Sequence, residues 1–211
     1  MVPVADGVSG GYDRTVIWRA STWLILVVLL SGCGHDPSGP SQIFNLAGEP
    51  VDPLAVHGAK VLVFVFVRTD CPISNRYAPE MRRLQEKFMP QGVNFQLVYP
   101  DPDEKAGMIK DHLKAYGYAS QALRDPRHVF VQMTGAQVTP EAVVFAIADS
   151  GPESQLVYRG RIDDRYVDFG TTRPEPTTHD LERVLEGILA GQPISFTTTP
   201  AVGCYIADLK G

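Results

Sequence analysis

The sequence predicts an α/β fold with a mixed central β-sheet flanked by helices on both faces. Three observations predict it. "KVLVFVFV", from Lys60 to Val67, is a continuous β-branched and aromatic run, the pattern of a strand buried on both faces. A helical stretch separates it from the next such run, "VNFQLVYP", and strands joined through helices pair in parallel. Later, "EAVVFAIAD" and "ESQLVYRGRID" flank Ser150-Gly151-Pro152, a hairpin signal that adds antiparallel strands.

The other elements follow in order. "IFNLAGEPVDPL" reads as two short strands around Gly48-Glu49. Pro72 to Phe88 reads as helix, with Ala78, Met81, Leu84, Gln85 and Phe88 on one face. Pro72 suits the first helical turn, whereas Pro79 in the interior predicts a kink or a late start. "DPDEKAGMIKDHLKAYGY" reads as a helix opened by Asp101 or Asp103 and ended by Gly117. "RHVFVQMTGA" reads as a short helix stopping at Gly135 or, from its β-branched residues, as a strand. "THDLERVLEGILAG" is a last helix that places Leu181, Val184, Leu185 and Ile188 on one face and stops at Gly191. A tail from Gln192 to Gly211 carries Cys204.

The chain has 211 residues and is 44% hydrophobic, enough for one well-cored domain. Its net charge is -5 and no basic cluster stands out, which argues against nucleic acid as a partner. Arg14 and, within "WRASTWLILVVLLSGC", Arg19 lie ahead of an apolar run from Trp23 to Leu30, too short for a comfortable membrane span. The run ends in Leu30-Ser31-Gly32-Cys33, which resembles the bacterial lipobox. That resemblance implies cleavage before Cys33, acylation of Cys33, and a protein held on a membrane of the bacterial cell envelope. The alternative is an uncleaved anchor helix with an incidental cysteine. The expected organisation is a signal peptide over 1–32, a Pro/Gly/Ser tether over 33–42, a core domain over 43–191 and the tail over 192–211.

If Cys33 carries lipid, two of the 3 cysteines remain, Cys71 and Cys204, in a compartment where disulfides persist. Cys71 sits in "VFVRTDCPISN", where a buried strand runs into a helix. Unpaired N–H groups and the helix dipole at such a junction favour an anion, and the thiolate is the reactive form of cysteine. Arg68 and Arg76 would add positive field, and Asp70 would oppose it unless its carboxylate caps the helix. These features predict a modestly acidified, accessible thiol; the alternative is an inert cysteine buried in the core. Ser74 stands where a CxxC pair has its second cysteine, so Cys71 has no disulfide partner within its own motif. A hydroxyl there can still donate to a thiolate.

The buried strand into "TDCPISN", the segment "VTPEAVVF", the hairpin "IADSGPESQLVYRGRIDD" and the closing amphipathic helix together resemble the thioredoxin-like superfamily. The likeness is closest to its redoxin and alkyl hydroperoxide reductase/thiol-specific antioxidant branch, and covers about Ile43 to Gly191. It implies a thioredoxin-like fold and a thiol-dependent oxidoreductase with Cys71 as nucleophile. It places Pro140 as a cis-proline facing Cys71, with the backbone of Thr139 open for strand-like pairing with a substrate. It implies thiol or disulfide protein partners, or a small oxidant, and no cofactor. Peroxiredoxins place a Thr or Ser three residues before the reactive cysteine. Here Arg68 holds that position and Thr69 is one step out of register, which speaks against an ordinary peroxidase. Arg161 is either a cation on the substrate or thiolate, or an ion-pair partner of Asp163 or Asp164.

For Cys204 three roles stand open: resolving partner of Cys71, permanent staple, or free thiol for another protein. Pro200 and Gly203 suggest a turn that holds this thiol at a surface. A different class of function is Cu(I) carriage by Cys71, Cys204 and one of His57, His128 or His179, although no ligand spacing supports a metal.

Overall fold

The computed structural model describes residues 42–148, 153–193 and 195–207. Cys33, the segment ahead of it and the Ser150-Gly151-Pro152 turn lie outside the described residues. Strand β2 (Val61–Phe66) is buried along its whole length, as its apolar run requires. It pairs in parallel with β3 (Val93–Tyr99) and antiparallel with β6 (Glu141–Ile147). Outward from β3 lie β4 (Gln121–Arg124), parallel, and β1 (Phe44–Asn45), antiparallel. Outward from β6 lie β7 (Ser154–Gly160), antiparallel, and β10 (Thr197–Thr198), parallel to β7. The result is a mixed sheet of seven strands in the order β1-β4-β3-β2-β6-β7-β10, while β8 (Tyr166–Asp168) and β9 (Thr171–Thr172) pair as a separate antiparallel ribbon.

The alternation of side chains along β2 divides the core in two. Val61, Val63 and Val65 pack with α1 (Pro72–Arg76), α2 (Ala78–Phe88), α3 (Ala106–Tyr116) and α5 (Asp180–Leu189). Leu62, Phe64 and Phe66 face the other way and pack with α4 (Val129–Thr134) and the N-terminal segment. There Phe64 meets Phe130 edge-on, with ring centroids 4.7 Å apart. Helices therefore cover both faces.

Two expectations are corrected and two are made specific. The stretch from Pro72 to Phe88 is two helices broken at Tyr77, because Pro79 supplies no N–H to a continuing ladder and instead opens α2. Neither Asp101 nor Asp103 caps α3. The Asp101 carboxylate accepts the Asp103 N–H at 2.9 Å in a turn of its own, and the helix starts later, after Lys105. Only one of the two early strands is a strand; the second is reduced to a single bridge between Phe44 and Pro50. The tail folds back over the domain. Its Thr197–Thr198 strand extends the main sheet, and β11 (Cys204–Tyr205) pairs antiparallel with β5 (Val138–Thr139).

The helix α4 is held by a fully buried carboxylate. Asp125 accepts the Val129 N–H on one oxygen and the Val131 N–H on the other, each at 2.8 Å. Asp125→Ala leaves both amides without their cap and is expected to lower stability by about 1–3 kcal/mol. Urea unfolding monitored by circular dichroism measures this, and a change below about 0.5 kcal/mol would contradict it.

Candidate active site

Cys71 follows the end of β2 and is itself the N-cap of α1, its sulfur accepting the Ser74 N–H at 3.5 Å. The expected cap, Asp70, is drawn away instead. Its carboxylate pairs at 3.1 Å with Arg68, which also reaches Asp101 at 3.0 Å. Arg76 is exposed in the last turn of α1. Cys71 is not the accessible thiol expected. It is 1% exposed and belongs to the core cluster, because the tail lies across it.

The cover is specific. The Thr139-Pro140 bond is cis, and the Cys71 thiol donates to the Thr139 carbonyl at 3.0 Å. The backbone of Thr139 is not open to a substrate. Cys204 sits opposite it in the β11 ladder, and the Thr139 hydroxyl donates to the Cys204 carbonyl at 3.3 Å. The Ile206 N–H continues the pairing to the Gln137 carbonyl at 2.9 Å. Cys204 therefore lies in a strand, half-buried, and not in a surface turn. Gly203 explains the close approach. A Cβ there would overlap the carbonyl of Thr139, so only glycine lets the tail lie against the proline loop. Upstream, the Thr199 N–H donates to the Arg159 carbonyl at 3.1 Å and the Thr199 hydroxyl shares a hydrogen bond of 2.6 Å with Tyr158.

Both thiols are free, and each shifts the pKa of the other. Burial alone would push the Cys71 thiol up. The Cys204 side chain, the Ser74 hydroxyl and the Ser74 N–H outweigh it and bring Cys71 below the ordinary cysteine value. The Ser74 hydroxyl is buried and makes no hydrogen bond of good geometry, yet its proximity helps to hold the thiolate. The Thr139 carbonyl acts the other way and favours the protonated thiol. Cys204 is pushed up to about 12, first by burial and then by its hydrogen bond to Cys71. Cys71 is thus the more acidic thiol of the pair and Cys204 the one that keeps its proton longer. Cys204→Ala removes that thiol, so the pH midpoint of thiolate absorbance at Cys71 is expected to rise. An unchanged or lower midpoint would contradict the pairing.

The loop ahead of Cys71 is held by groups that the sequence did not single out. The Thr69 N–H donates to buried Glu104 at 2.6 Å. The Asn75 amide donates to the Thr69 carbonyl at 3.0 Å, and its oxygen lies 2.7 Å from His112 Nε2. Tyr99 completes the chain with its hydroxyl 2.9 Å from His112 Nδ1. Burial lowers the His112 pKa, so the ring is neutral. Donation by Tyr99 to Nδ1 and by Nε2–H to Asn75 satisfies every member. Asn75 is visible in the "CPISN" motif; Glu104, His112 and Tyr99 reach the site only through tertiary packing.

Arg161 does not reach the thiols. Its Nε pairs with Asp180 at 2.8 Å, and neither Asp163 nor Asp164 is its partner. Asp163 instead accepts the Tyr77 hydroxyl at 2.5 Å, and Asp164 caps Thr177 and Thr178. No histidine joins the cysteines among the described contacts. His128 lies 2.9 Å from the Pro100 carbonyl, and His57 is exposed. Glu80, Asp163 and His179 gather three possible ligand atoms within 4.8 Å, but both Glu80 oxygens are taken by Arg83 at 2.6 and 2.8 Å. That group contains neither cysteine.

A cavity of about 450 Å³ opens beside Cys204, lined also by Val138, Asp168, Phe169, Val202 and Tyr205. A larger hollow of about 540 Å³, between Asn45, Val56 and Leu123, contains neither cysteine.

No curated protein matches the chain. Among solved structures, an uncharacterized conserved protein from Geobacillus kaustophilus is similar, with TM-score 0.67 and 24% identity over 82% of this chain and 91% of that one. A hypothetical protein from Sinorhizobium meliloti has TM-score 0.65 and 22% identity over 78% and 88%. A thioredoxin-like protein from Aeropyrum pernix has TM-score 0.51 and 17% identity over 69% and 87%. These likenesses establish a thioredoxin-like fold. The Redoxin family model matches residues 37–165, more than half of the sequence and the stretch that holds Cys71 and Pro140, so the chain belongs to the Redoxin family.

Proposed function

We propose that this chain is a two-cysteine thiol-disulfide oxidoreductase, with Cys71 as nucleophile and Cys204 as resolving thiol. One observation carries the reading: β11 pairs with β5 and sets Cys204 opposite Thr139, beside Cys71. In the first step the Cys71 thiolate attacks a substrate disulfide, forming a mixed disulfide and expelling one substrate thiolate. Cys204, losing its proton, then attacks the Cys71 sulfur. The second substrate thiolate leaves, and the electrons lost by the two cysteines have reduced the substrate. A thiol donor returns the Cys71–Cys204 disulfide to the dithiol.

Disulfides are favoured over peroxides as substrate. The Thr69 N–H and carbonyl are committed to Glu104 and Asn75, and Arg161 is committed to Asp180. Arg161 is thus not poised to hold a peroxide, and Thr69 stands one step out of register for it. The test is dithiol-dependent reduction of insulin disulfides, run beside peroxide consumption. Cys71→Ser is expected to abolish the first. Full reductase activity in that variant would overturn the reading.

The Leu30-Ser31-Gly32-Cys33 sequence supports a lipid anchor in the bacterial envelope, facing an oxidising compartment. Radiolabelled palmitate is expected to label the wild type and not Cys33→Ala; equal labelling would defeat the anchor.

A further inference from the structure

We infer that reducing equivalents enter this protein through Cys204: the donor thiolate attacks the Cys204 sulfur of the Cys71–Cys204 disulfide, and Cys71 is the leaving group. The inference rests on the exchange cycle proposed above and gives its reductive half a direction.

A disulfide offers two sulfurs, and a thiolate must approach one of them along the S–S axis. Access separates the two here. Cys71 is 1% exposed, within the core cluster and under the Thr139 carbonyl. Cys204 lines the cavity of about 450 Å³, wide enough for a cysteine side chain on a protruding segment or for a small thiol. The rim of that cavity is apolar, with Phe169 68% and Tyr205 81% exposed.

The leaving group separates them again. A departing Cys71 thiolate keeps the Ser74 N–H at 3.5 Å and the nearby Ser74 hydroxyl. A departing Cys204 thiolate would meet burial and the Asp70 carboxylate, with Arg68 as its compensation. Disulfide exchange is faster when the better-stabilised thiolate leaves. Both effects select the same sulfur.

The step balances. The donor thiolate R–S⁻ forms a bond to the Cys204 sulfur, the S–S bond breaks, and its electron pair stays on Cys71. A second donor thiolate then attacks the donor sulfur, expelling Cys204 as a thiolate that takes a proton. Two thiols are oxidised to one disulfide, and the protein disulfide becomes two thiols.

Sulfite tests the direction, because it cleaves a disulfide to one S-sulfonate and one thiolate and marks the sulfur it attacked. The full chain is oxidised and mapped without reductant to establish the Cys71–Cys204 bridge. It is then treated briefly with sulfite under native conditions, alkylated and mapped again. The expected result is S-sulfonate on Cys204 and alkylated Cys71, at least about tenfold over the reverse, with the preference lost in urea. If the bridge is present but sulfonate appears on Cys71 or divides evenly, this inference falls and the exchange cycle stands. If oxidation yields no bridge, the cycle falls and takes the inference with it.

Discussion

Gly203→Ala is expected to slow closure of the Cys71–Cys204 disulfide by about 10–100-fold and at the same time to speed alkylation of Cys71. The reason is steric. The added methyl group would overlap the Thr139 carbonyl and crowd the nitrogen of Pro140, and both are backbone atoms that cannot swing aside. The tail from Pro200 onward must therefore lift from β5. The anchor at Thr197–Thr199 remains, so Cys204 stays near but loses its fixed direction. A short flexible tether gives millimolar effective concentration, whereas a docked pair in reacting geometry exceeds that by orders of magnitude. Cys71, now 1% exposed, would lose its cover. The two changes have opposite signs, so general loosening of the fold does not mimic them. Iodoacetamide kinetics and thiol counting after oxidation measure both. Unchanged rates in both assays would show that the tail does not depend on Gly203 for its place.

The two cysteines are expected to fail differently when replaced. Cys71→Ser removes the attacking thiolate and all turnover. Cys204→Ser leaves the nucleophile, and Ser at that position keeps a hydroxyl donor beside the sulfur. This variant should react once with a disulfide substrate and stop, accumulating the mixed disulfide on Cys71 while steady-state turnover falls by about 100-fold or more. Rapid acid quench and intact mass measure the adduct. Wild-type turnover by Cys204→Ser would leave the tail without a role in resolution. The docked tail also restricts what Cys71 meets. A polypeptide substrate can pair with Thr139 only when β11 has left, since the chain's own strand fills that edge.

The parts of the fold that depend on local pattern were legible in the sequence. The run from Val61 to Phe66 cannot bury six consecutive apolar residues except in a central strand, and it does so. Pro79 marked the break between α1 and α2, and Gly117 and Gly135 end their helices in the left-handed conformation. Strand β4 was not legible. "QALR" is short and has no β-branched residue, so it is a strand by its place beside β3 rather than by propensity. At the site, Cys71, Ser74 and Pro140 were legible because they lie in motifs. The partners of Arg68, Arg161 and His112 were not, because each comes from a distant segment. For Cys204 the sequence left three roles open. The contact that brings it beside Cys71, Gly203 against Thr139, joins residues whose separation in the chain gives no local signal.

Everything functional turns on whether the two sulfurs exchange electrons. The direct measurement is mass mapping of the full chain after mild oxidation and non-reducing digestion. A Cys71–Cys204 disulfide that opens with dithiol and re-forms on reoxidation is the expected result. Two free thiols after oxidation, or a dominant cross-link to Cys33, would contradict it.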